Sequence, residues 1–312
     1  MFLIYIRKMN PPSQSSIKQY TAALNSLARD MGYPTIPEGY QWLKDAHKVY
    51  EVIKNSYASY NTRNNKLFAI KYYLDIYDAP PEILLEYEDY ISEVKEAIEE
   101  QRADNKKSQK EEDNWLSKDQ LITILKELEK KTKRGITNMT DYRNVMRYLL
   151  LKIHIETPLR NDLADAKIFR DPDEDDIKDT NYNYIVLDSK NKTATFIGNV
   201  FKTKKTHGQI KFNWSKDIYN ELNHYYNDII AQNVENYFIV NQNGDKMTPN
   251  NYTKFMKSIF TDYDKNISTS MIRHIIVSDI YDLDKEKESN KKELAYKMGH
   301  SQQTAQSIYA KI

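Results

Sequence analysis

The sequence predicts a mainly α-helical protein with two domains, of which the second is an α+β unit containing a small three-stranded antiparallel sheet. Apolar residues recur at helical spacing through the first hundred residues and again after residue 215. Alternation of the kind expected for strands is found only between residues 184 and 214. A polar segment separates the two halves, and 312 residues are enough for two buried cores. We therefore predict domains at 1–103 and 115–312, joined by an exposed linker at 104–114.

The first predicted domain is built from helices. Apolar side chains at three- to four-residue intervals indicate helices over 13–31 and 40–53, separated by a loop rich in Gly and Pro. A third helix is expected to begin near Asn61 or Thr62, either of which is a suitable N-cap, and to end at Pro80. A fourth follows over 82–99.

The second predicted domain combines helices with the sheet. Ser117 is an N-cap candidate, and the apolar helix over 141–156 should lie in the core until Pro158 closes it. Strands are predicted over 184–188, over 194–197 with 200–201, and over 210–214. The remaining helices are predicted over 218–233, 250–261, 269–283 and 291–298.

The composition excludes several classes of protein. A hydrophobic fraction of 40% and a charged fraction of 29% are typical of a folded globular chain. Without cysteine there is no disulfide framework, no thiolate nucleophile and no cysteine-based zinc site. No apolar run approaches the ~20 residues that span a bilayer. We expect an intracellular protein with no membrane partner.

The net charge of +1 hides a strong local asymmetry. Between residues 185 and 216 the only acidic residue is Asp188, whereas the lysines number seven: 190, 192, 202, 204, 205, 211 and 216. Local clusters of this kind, rather than the net charge, determine phosphate binding. The acidic run at 171–176 has no accompanying ligand set and is interpreted as a solvated loop, so no metal site is predicted.

The carboxy-terminal segment contains the most informative motif. Gly299-His300 precedes Tyr309 by nine residues, in a chain that has only seven Gly and six His. A chance Gly-His pair is expected only about 0.1 times at these frequencies, and the following Tyr lowers this further. An imidazole and a phenol at this spacing could act together on one phosphate, as in DNA strand cleavage.

Three further elements precede this motif. Thr157-Pro158-Leu159-Arg160 ends a predicted helix with an arginine, Lys202 lies at a turn of the sheet, and Ile272-Arg273-His274 offers a second arginine on a helix. The order Arg, Lys, Arg, His, Tyr, with a β-hairpin only at the lysine, resembles the catalytic domain of the tyrosine recombinases, or phage-type integrases. The first hundred residues look like the helical core-binding (SAM-like) DNA-binding domain of that family.

The resemblance implies a role for each of these residues. Tyr309 would attack the scissile phosphate, leaving a 3′-phosphotyrosyl bond and a free 5′-hydroxyl. Arg160 and Arg273 would hold the non-bridging oxygens, and His300 would donate a further hydrogen bond. Lys202 would protonate the departing 5′-oxygen. Because the phosphotyrosyl bond retains the energy of the phosphodiester, neither a cofactor nor a metal is implied.

The chain departs from the family pattern at several positions. Ser270 occupies the position where the family usually has a histidine that assists proton transfer. The acidic residue expected three positions after the first arginine is Leu163 here, so Asp162 is the candidate for that role. Lys205 is the alternative general acid to the lysine named above, and His274 is expected to be structural.

The family resemblance also implies a partner and an assembly. Double-stranded DNA is the expected partner, with Arg63 and Lys66 on the third predicted helix and Lys204 and Lys205 in the hairpin as phosphate contacts. Recombination requires four active sites, so a homotetramer on DNA is expected. Many relatives continue beyond the tyrosine into a helix that docks on a neighbouring subunit. Because three residues follow Tyr309 here, we expect either a different mode of assembly or a shortened chain.

Other functions use nearly the same residues. A type IB topoisomerase or a telomere resolvase would relax supercoils or form hairpin ends by this chemistry. A DNA-binding protein that keeps the fold without cleavage is the alternative from another class, and Ser270 is its main support. For a recombinase, the cytoplasm or a host nucleus is the expected location, and a virus or mobile element is a possible source.

Overall fold

The chain folds as two units, which divide the sequence into Met1–Asp104 and Asn105–Ile312. The computed structural model describes residues 12–104, 106–132, 136–233, 235–282 and 288–311. The last residue of the predicted helix 269–283 lies outside this range. Residues 106–114, which were predicted to be part of a linker, belong to the second unit.

In its described residues, 12–104, the first unit consists of helices, as predicted. They are α1 (Gln14–Asp30), α2 (Ala46–Ser56), α3 (Tyr60–Ile76) and α4 (Pro81–Ala103), with a 3₁₀ turn at Gln41–Leu43. The predicted helix 40–53 is divided because Asp45 caps a new helix, accepting a hydrogen bond from Lys48 N at 3.0 Å. The core includes Leu27, Ile53 and Leu67, each fully buried.

The second unit contains the sheet and the remaining described helices. Its elements are α5 (Gln109–Asn114), α6 (Lys118–Thr132), α7 (Met139–Glu156), β1 (Lys167–Arg170), β2 (Tyr184–Asp188), β3 (Thr193–Gly198), the single turn α8 (Lys204–His207), β4 (Ile210–Asn213), α9 (Lys216–Ile230), α10 (Pro249–Ser258), α11 (Thr269–Asp282), α12 (Glu288–Lys297) and α13 (Gln302–Thr304), which continues into a π-helical turn at Ala305–Tyr309. The apolar helix α7 lies in the core of this unit, where Val145, Leu149 and Ile153 are buried. Ser117 caps α6, as predicted, by accepting a hydrogen bond from Gln120 N at 3.2 Å.

The sheet corrects the sequence prediction. Its strands lie in the order β1-β2-β3-β4, with β1 parallel to β2 and the other pairs antiparallel. The sheet therefore has four strands and mixed topology rather than three antiparallel strands. The sequence does not mark β1 because the strand has four residues, of which only Ile168 is fully buried. Its partner is reached by a non-local crossover, which no local pattern indicates.

The acidic run lies in this crossover between β1 and β2. Asp173 and Asp176 form a reciprocal capping box around a 3₁₀ turn, and the acidic side chains of this turn are exposed. Within the described ranges, no three His, Asp or Glu side chains are grouped closely enough to hold a metal ion. The helices in those ranges are all too short or too polar to cross a bilayer.

Candidate active site

The turn after α7 positions the first arginine. Asn161, next to Arg160, donates hydrogen bonds from Nδ2 to Pro249 O at 3.2 Å and to Thr253 Oγ1 at 2.9 Å. Its Oδ1 accepts a hydrogen bond from Thr269 Oγ1 at 2.9 Å. Arg160 is therefore held in a turn that is tied to both α10 and α11.

The second arginine lies beside the first. Arg273 projects from the second turn of α11 and is only 7% exposed. Its Nη1 donates a hydrogen bond to Leu159 O at 3.1 Å, which links it to the residue preceding Arg160. Burial and the neighbouring Arg160 charge lower the pKa of Arg273, but a guanidinium remains protonated at neutral pH.

These two guanidiniums retain unused donors. Nη1 of Arg160 and Nε of Arg273 are buried and have no hydrogen-bond partner among the described residues. Buried polar groups are normally paired, so two unpaired cationic donors in one place indicate a site for an anion. Both arginines line one cavity of about 530 Å³, a size within the range typical of ligand sites.

Three other predicted residues line the same cavity: Asp162, Lys202 and Ser270. Ser270 is exposed in the first turn of α11. Leu163, at the usual position of the acidic residue, is completely buried and does not line the cavity. The structure thus places Asp162, rather than its neighbour, beside the arginines.

The environment of Asp162 opposes its ionisation. Burial raises the pKa of this carboxyl to about 6, although the charges of Arg160 and Arg273 act in the opposite direction. Its Oδ2 accepts a hydrogen bond from Arg160 N at 3.2 Å. Asp162 therefore supports the backbone of the arginine turn and is partly protonated in mildly acidic solution.

A buried amide connects the arginine turn to the lysine turn. Asn183 Nδ2 donates hydrogen bonds to Asp162 O at 2.8 Å and to Val200 O at 2.9 Å. Its Oδ1 accepts hydrogen bonds from Asn199 N at 2.8 Å and Val200 N at 2.7 Å. Three of these bonds join Asn183 to Asn199 and Val200, which follow β3 and precede Lys202 by three and two residues. Asn183 therefore sets the distance between the lysine turn and Asp162.

A second link joins the lysine turn to the histidine turn. Thr203 Oγ1 donates a hydrogen bond to Gly299 O at 2.6 Å. Gly299 has a φ of 65°, which a side chain disfavours, and a Cβ there would lie 3.0 Å from the ring of Phe201. Glycine at 299 therefore ends α12 and permits the close approach that brings Lys202 and His300 to one side of the unit.

His300 occupies the space between the arginines and the tyrosine. Its Nδ1 lies 3.4 Å from Arg160 Nη2, and its Nε2 lies 3.3 Å from the hydroxyl of Tyr309. Burial, followed by the charges of Arg160 and Arg273, lowers the pKa of His300 to about 3. The ring is therefore neutral at pH 7. Because a guanidinium can only donate, Nδ1 must accept, and the ring proton resides on Nε2, facing Tyr309.

Tyr309 is enclosed by the other members of the site. It is 6% exposed, and the guanidinium carbon of Arg273 lies 5.3 Å from the centre of its ring. The rings of His274 and His300 lie 5.3 Å and 5.2 Å away, centre to centre. Its carbonyl accepts a hydrogen bond from Ser278 Oγ at 3.3 Å, which fastens the π-helical turn to α11. Neither Tyr309 nor His300 lines the cavity, whereas Arg160 and Arg273, which contact these two residues, do.

The remaining basic candidates lie elsewhere. Lys204 and Lys205 are exposed on the single turn α8 and do not line the cavity. In the first unit, Arg63 donates hydrogen bonds from Nε to Tyr57 O at 2.6 Å and from Nη2 to Lys54 O at 3.2 Å, so it caps the end of α2.

Lys66 is not where a phosphate contact is expected. It is only 4% exposed, and its Nζ donates a hydrogen bond to Ala23 O at 2.9 Å. Burial lowers the pKa of this lysine. The prediction that Lys66 contacts DNA is therefore corrected, since its ammonium is bound within the interior of the first unit.

Sequence reasoning did not identify Asn183, Thr203 or Glu111 as part of this site. Asn183 and Thr203 act through bonds to residues that are distant in sequence, and no local pattern marks them. Glu111 approaches His274, and its only sequence signal was the spacing Ser108-x-x-Glu111, which is typical of a helix start.

Comparison with known proteins finds matches among solved structures but not among sequences. The sequence matches no protein-family model and no curated protein. The crystal structure of XerA recombinase is similar to the chain with a TM-score of 0.43 and 12% identity, covering 98% of this chain and 91% of that one. The XerH site-specific recombinase, in a pre-cleavage complex with its difH substrate, has a TM-score of 0.44 and 15% identity, covering 93% of each chain. The structures similar to this chain thus include recombinases.

Proposed function

We propose that this protein is a tyrosine recombinase, a site-specific DNA strand transferase that cleaves and rejoins duplex DNA through a 3′-phosphotyrosyl intermediate. The observation that supports this most directly is the grouping of Arg160, Arg273, His300 and Tyr309. Each of the two guanidiniums has a buried, unpaired donor, and the guanidinium of Arg160 contacts a neutral imidazole, which in turn contacts a phenol. This set suits the transfer of a phosphodiester to a tyrosine.

In the proposed step, Oη of Tyr309 attacks the phosphorus in line with the 5′-oxygen. A phosphorus–Oη bond forms, the phosphorus–O5′ bond breaks, and the phenol loses its proton to solvent. Negative charge on the non-bridging oxygens is stabilised by Arg160 and Arg273, and the proton on Nε2 of His300 can be donated to the same phosphate. Lys202 supplies the proton that O5′ requires.

The proposed general acid is Lys202 rather than Lys205. Lys202 lines the cavity together with both arginines, and its charge contributes to the lowered pKa of His300. Lys205 does neither. Lys204 and Lys205, exposed on the adjoining turn, are suited to contact DNA phosphates beside the reacting one.

Covalent capture on a randomised pool of DNA tests this function whatever the target sequence. The probe is a pool of 5′-labelled duplexes with a central nick and randomised flanks, so that the short cleaved strand diffuses away and the adduct accumulates. The wild type is expected to form a labelled adduct that survives SDS and yields a consensus site on sequencing. EDTA should not reduce its yield.

The matched comparison is between two Tyr→Phe variants. Tyr309→Phe should form no adduct, whereas Tyr219→Phe, which removes the hydroxyl of a buried tyrosine on α9, should form it normally. An adduct with Tyr309→Phe, or none with the wild type on any sequence in the pool, would show that the proposal is wrong. Salt-sensitive retention of the pool without an adduct would instead indicate a DNA-binding protein that does not cleave.

The same experiment separates the related enzymes. A strong consensus among the recovered sequences supports a site-specific recombinase. Adducts without a consensus, together with relaxation of any supercoiled plasmid, would indicate a type IB topoisomerase. We propose that the reaction is carried out by a homotetramer on DNA, which sedimentation of the protein with the recovered site can test.

A further inference from the structure

The segment that follows the unit boundary is attached directly to the candidate active site. Helix α5 lies against the residues that precede α11. Lys265 Nζ donates a hydrogen bond to Asp113 O at 2.5 Å, and Asn266 N donates one to Asn114 Oδ1 at 2.6 Å. The sequence predicts an exposed linker here, but this part of it is docked on the second unit.

Glu111 is the residue of α5 that points toward the site. Its Oε2 accepts hydrogen bonds from the N and Oγ of Ser108, both at 2.8 Å, which complete a capping box. Its Oε1 lies 2.8 Å from Nδ1 of His274. Ser108 thus fixes one carboxylate oxygen, and the other lies close to Nδ1 of His274 as an electrostatic contact, because Nδ1 is not aligned for a regular hydrogen bond.

The ring of His274 also packs against the ring of Tyr309. The two rings stand nearly perpendicular, at an interplanar angle of 86° and a distance of 5.3 Å between ring centres. Arg273 and Lys311 also carry charges close to His274. Tyr309 is therefore packed between Arg273 and His300, which belong to the arginine site, and His274, which belongs to the contact with α5.

The protonation states are consistent with a fixed orientation of His274. Burial lowers its pKa to about 4, although the charge of Glu111 acts in the opposite direction. Burial also tends to raise the pKa of Glu111, but the hydrogen bonds from Ser108 and the charges of His274 and Lys311 outweigh it, and the pKa lies below its usual value. At pH 7 a carboxylate therefore faces a neutral imidazole, which favours the tautomer with its proton on Nδ1.

We propose that Glu111 is a positioning residue for the nucleophile, holding His274 in one tautomer and one ring orientation so that His274 keeps Tyr309 beside His300. This inference rests on the proposed function, because it assigns Tyr309 the role of nucleophile. It makes residues 108–114 a part of the active-site framework rather than a passive connection.

The test compares two adjacent substitutions on α5. Glu111→Gln removes the carboxylate that faces His274, whereas Glu112→Gln makes the same chemical change at an exposed position. Single-turnover adduct formation on the randomised nicked pool should slow about tenfold with Glu111→Gln, because the substitution removes the charge that lies 2.8 Å from Nδ1 of His274. It should stay within about twofold with Glu112→Gln. Retention of the pool should be the same for both variants.

A spectroscopic measurement distinguishes positioning from general weakening of the fold. Nitrogen-15 NMR of the ring should show His274 of the wild type as the Nδ1-protonated tautomer, and Glu111→Gln should lose this preference while the other histidine rings remain unchanged. If Glu111→Gln is poorly folded, Glu111→Asp replaces it, because the shorter side chain keeps the charge but moves it away from Nδ1 of His274. Glu111→Asp should also slow adduct formation, and normal cleavage by this variant would overturn the positioning role.

The outcomes separate the two proposals. Normal cleavage by Glu111→Gln with an active wild type would overturn the positioning role and leave the proposed function intact. Absence of any wild-type adduct would overturn the proposed function. In that case an unchanged His274 tautomer in Glu111→Gln would also overturn the link between α5 and His274, whereas a lost tautomer preference would support it.

Discussion

Replacing Asn183 should weaken the second unit and disconnect two parts of its candidate active site. The side chain is only 1% exposed, and all its hydrogen-bonding capacity toward Asp162, Asn199 and Val200 is used in four bonds. Asn183→Ala removes these bonds and leaves two backbone N–H groups and two carbonyls without their partner. The N–H group of Asn199, a residue only 2% exposed, then remains desolvated in the folded state, whereas the groups of Val200 lie beside solvent.

The expected cost follows from the number of bonds. At about 1 kcal/mol for each net hydrogen bond, four bonds correspond to about 4 kcal/mol, and access of water beside the exposed Val200 reduces this to about 3 kcal/mol. This is a large part of the ~5–15 kcal/mol that stabilises a typical domain. Asn199→Ala, which loses bonds only to Tyr182 and Gln209, should cost about 1–2 kcal/mol and serves as the control.

Urea unfolding, followed by hydrogen exchange of the peptide 196–203, measures both effects. Asn183→Ala should lower the free energy of unfolding by about 3 kcal/mol and accelerate exchange at Asn199 and Val200, whose amides it leaves unpaired. Adduct formation should fall further than with Asn199→Ala, because Asn183 joins Asp162 directly to the lysine turn. A loss below about 1 kcal/mol, or equal cleavage by the two variants, would refute the reasoning.

Three further predictions concern charge, backbone conformation and DNA contact. Because the pKa of Asp162 is raised from 3.8 to about 6, the stability contributed by this group is complete below pH 3.8 and is lost as the pH rises through 6. Asp162→Asn should therefore remove this loss, so that between pH 4 and pH 7 its free energy of unfolding in urea rises by about 2 kcal/mol relative to that of the wild type. Parallel dependence of the two unfolding free energies on pH would contradict this prediction. Gly299→Ala should cost about 1–2 kcal/mol because of its φ of 65° and its contact with Phe201, and an unchanged melting temperature would show that the turn adapts. Lys66→Met should leave the salt dependence of DNA binding unchanged because its ammonium is buried. Lys204→Ala should lower the slope of log binding constant against log salt concentration by about 1. A lower slope with Lys66→Met would show that Lys66 contacts DNA after all.

Local sequence patterns were sufficient to predict most of the helices and three of the strands. The apolar spacing of α7 and the alternation over 184–188 are local properties, and each element was confirmed close to its predicted bounds. The prediction of a mainly helical fold was confirmed as well. The order Arg, Lys, Arg, His, Tyr is likewise a property of the linear chain, and the chemistry proposed for the site follows from the family resemblance that this order carries.

The meeting of these residues depends on tertiary packing. Arg160 and His300 are 140 positions apart, and no local pattern could predict that Nη2 and Nδ1 lie within 3.4 Å. The lysines at 202 and 205 each precede a threonine, and only the folded hairpin, held by the bonds of Asn183 and Thr203, places Lys202 at the cavity. Strand β1 was missed because a parallel partner is defined by a crossover rather than by periodicity.

The polar residues show the same division. Lys66 lies on a helical face that the sequence predicts to be exposed, but in the folded unit its ammonium donates a hydrogen bond to the carbonyl of Ala23. Glu111 belongs to a segment of mostly polar composition, yet its carboxylate lies 2.8 Å from His274. Composition and periodicity describe how a segment behaves alone, whereas the partner of a buried charge is chosen by residues that the fold brings from elsewhere in the chain.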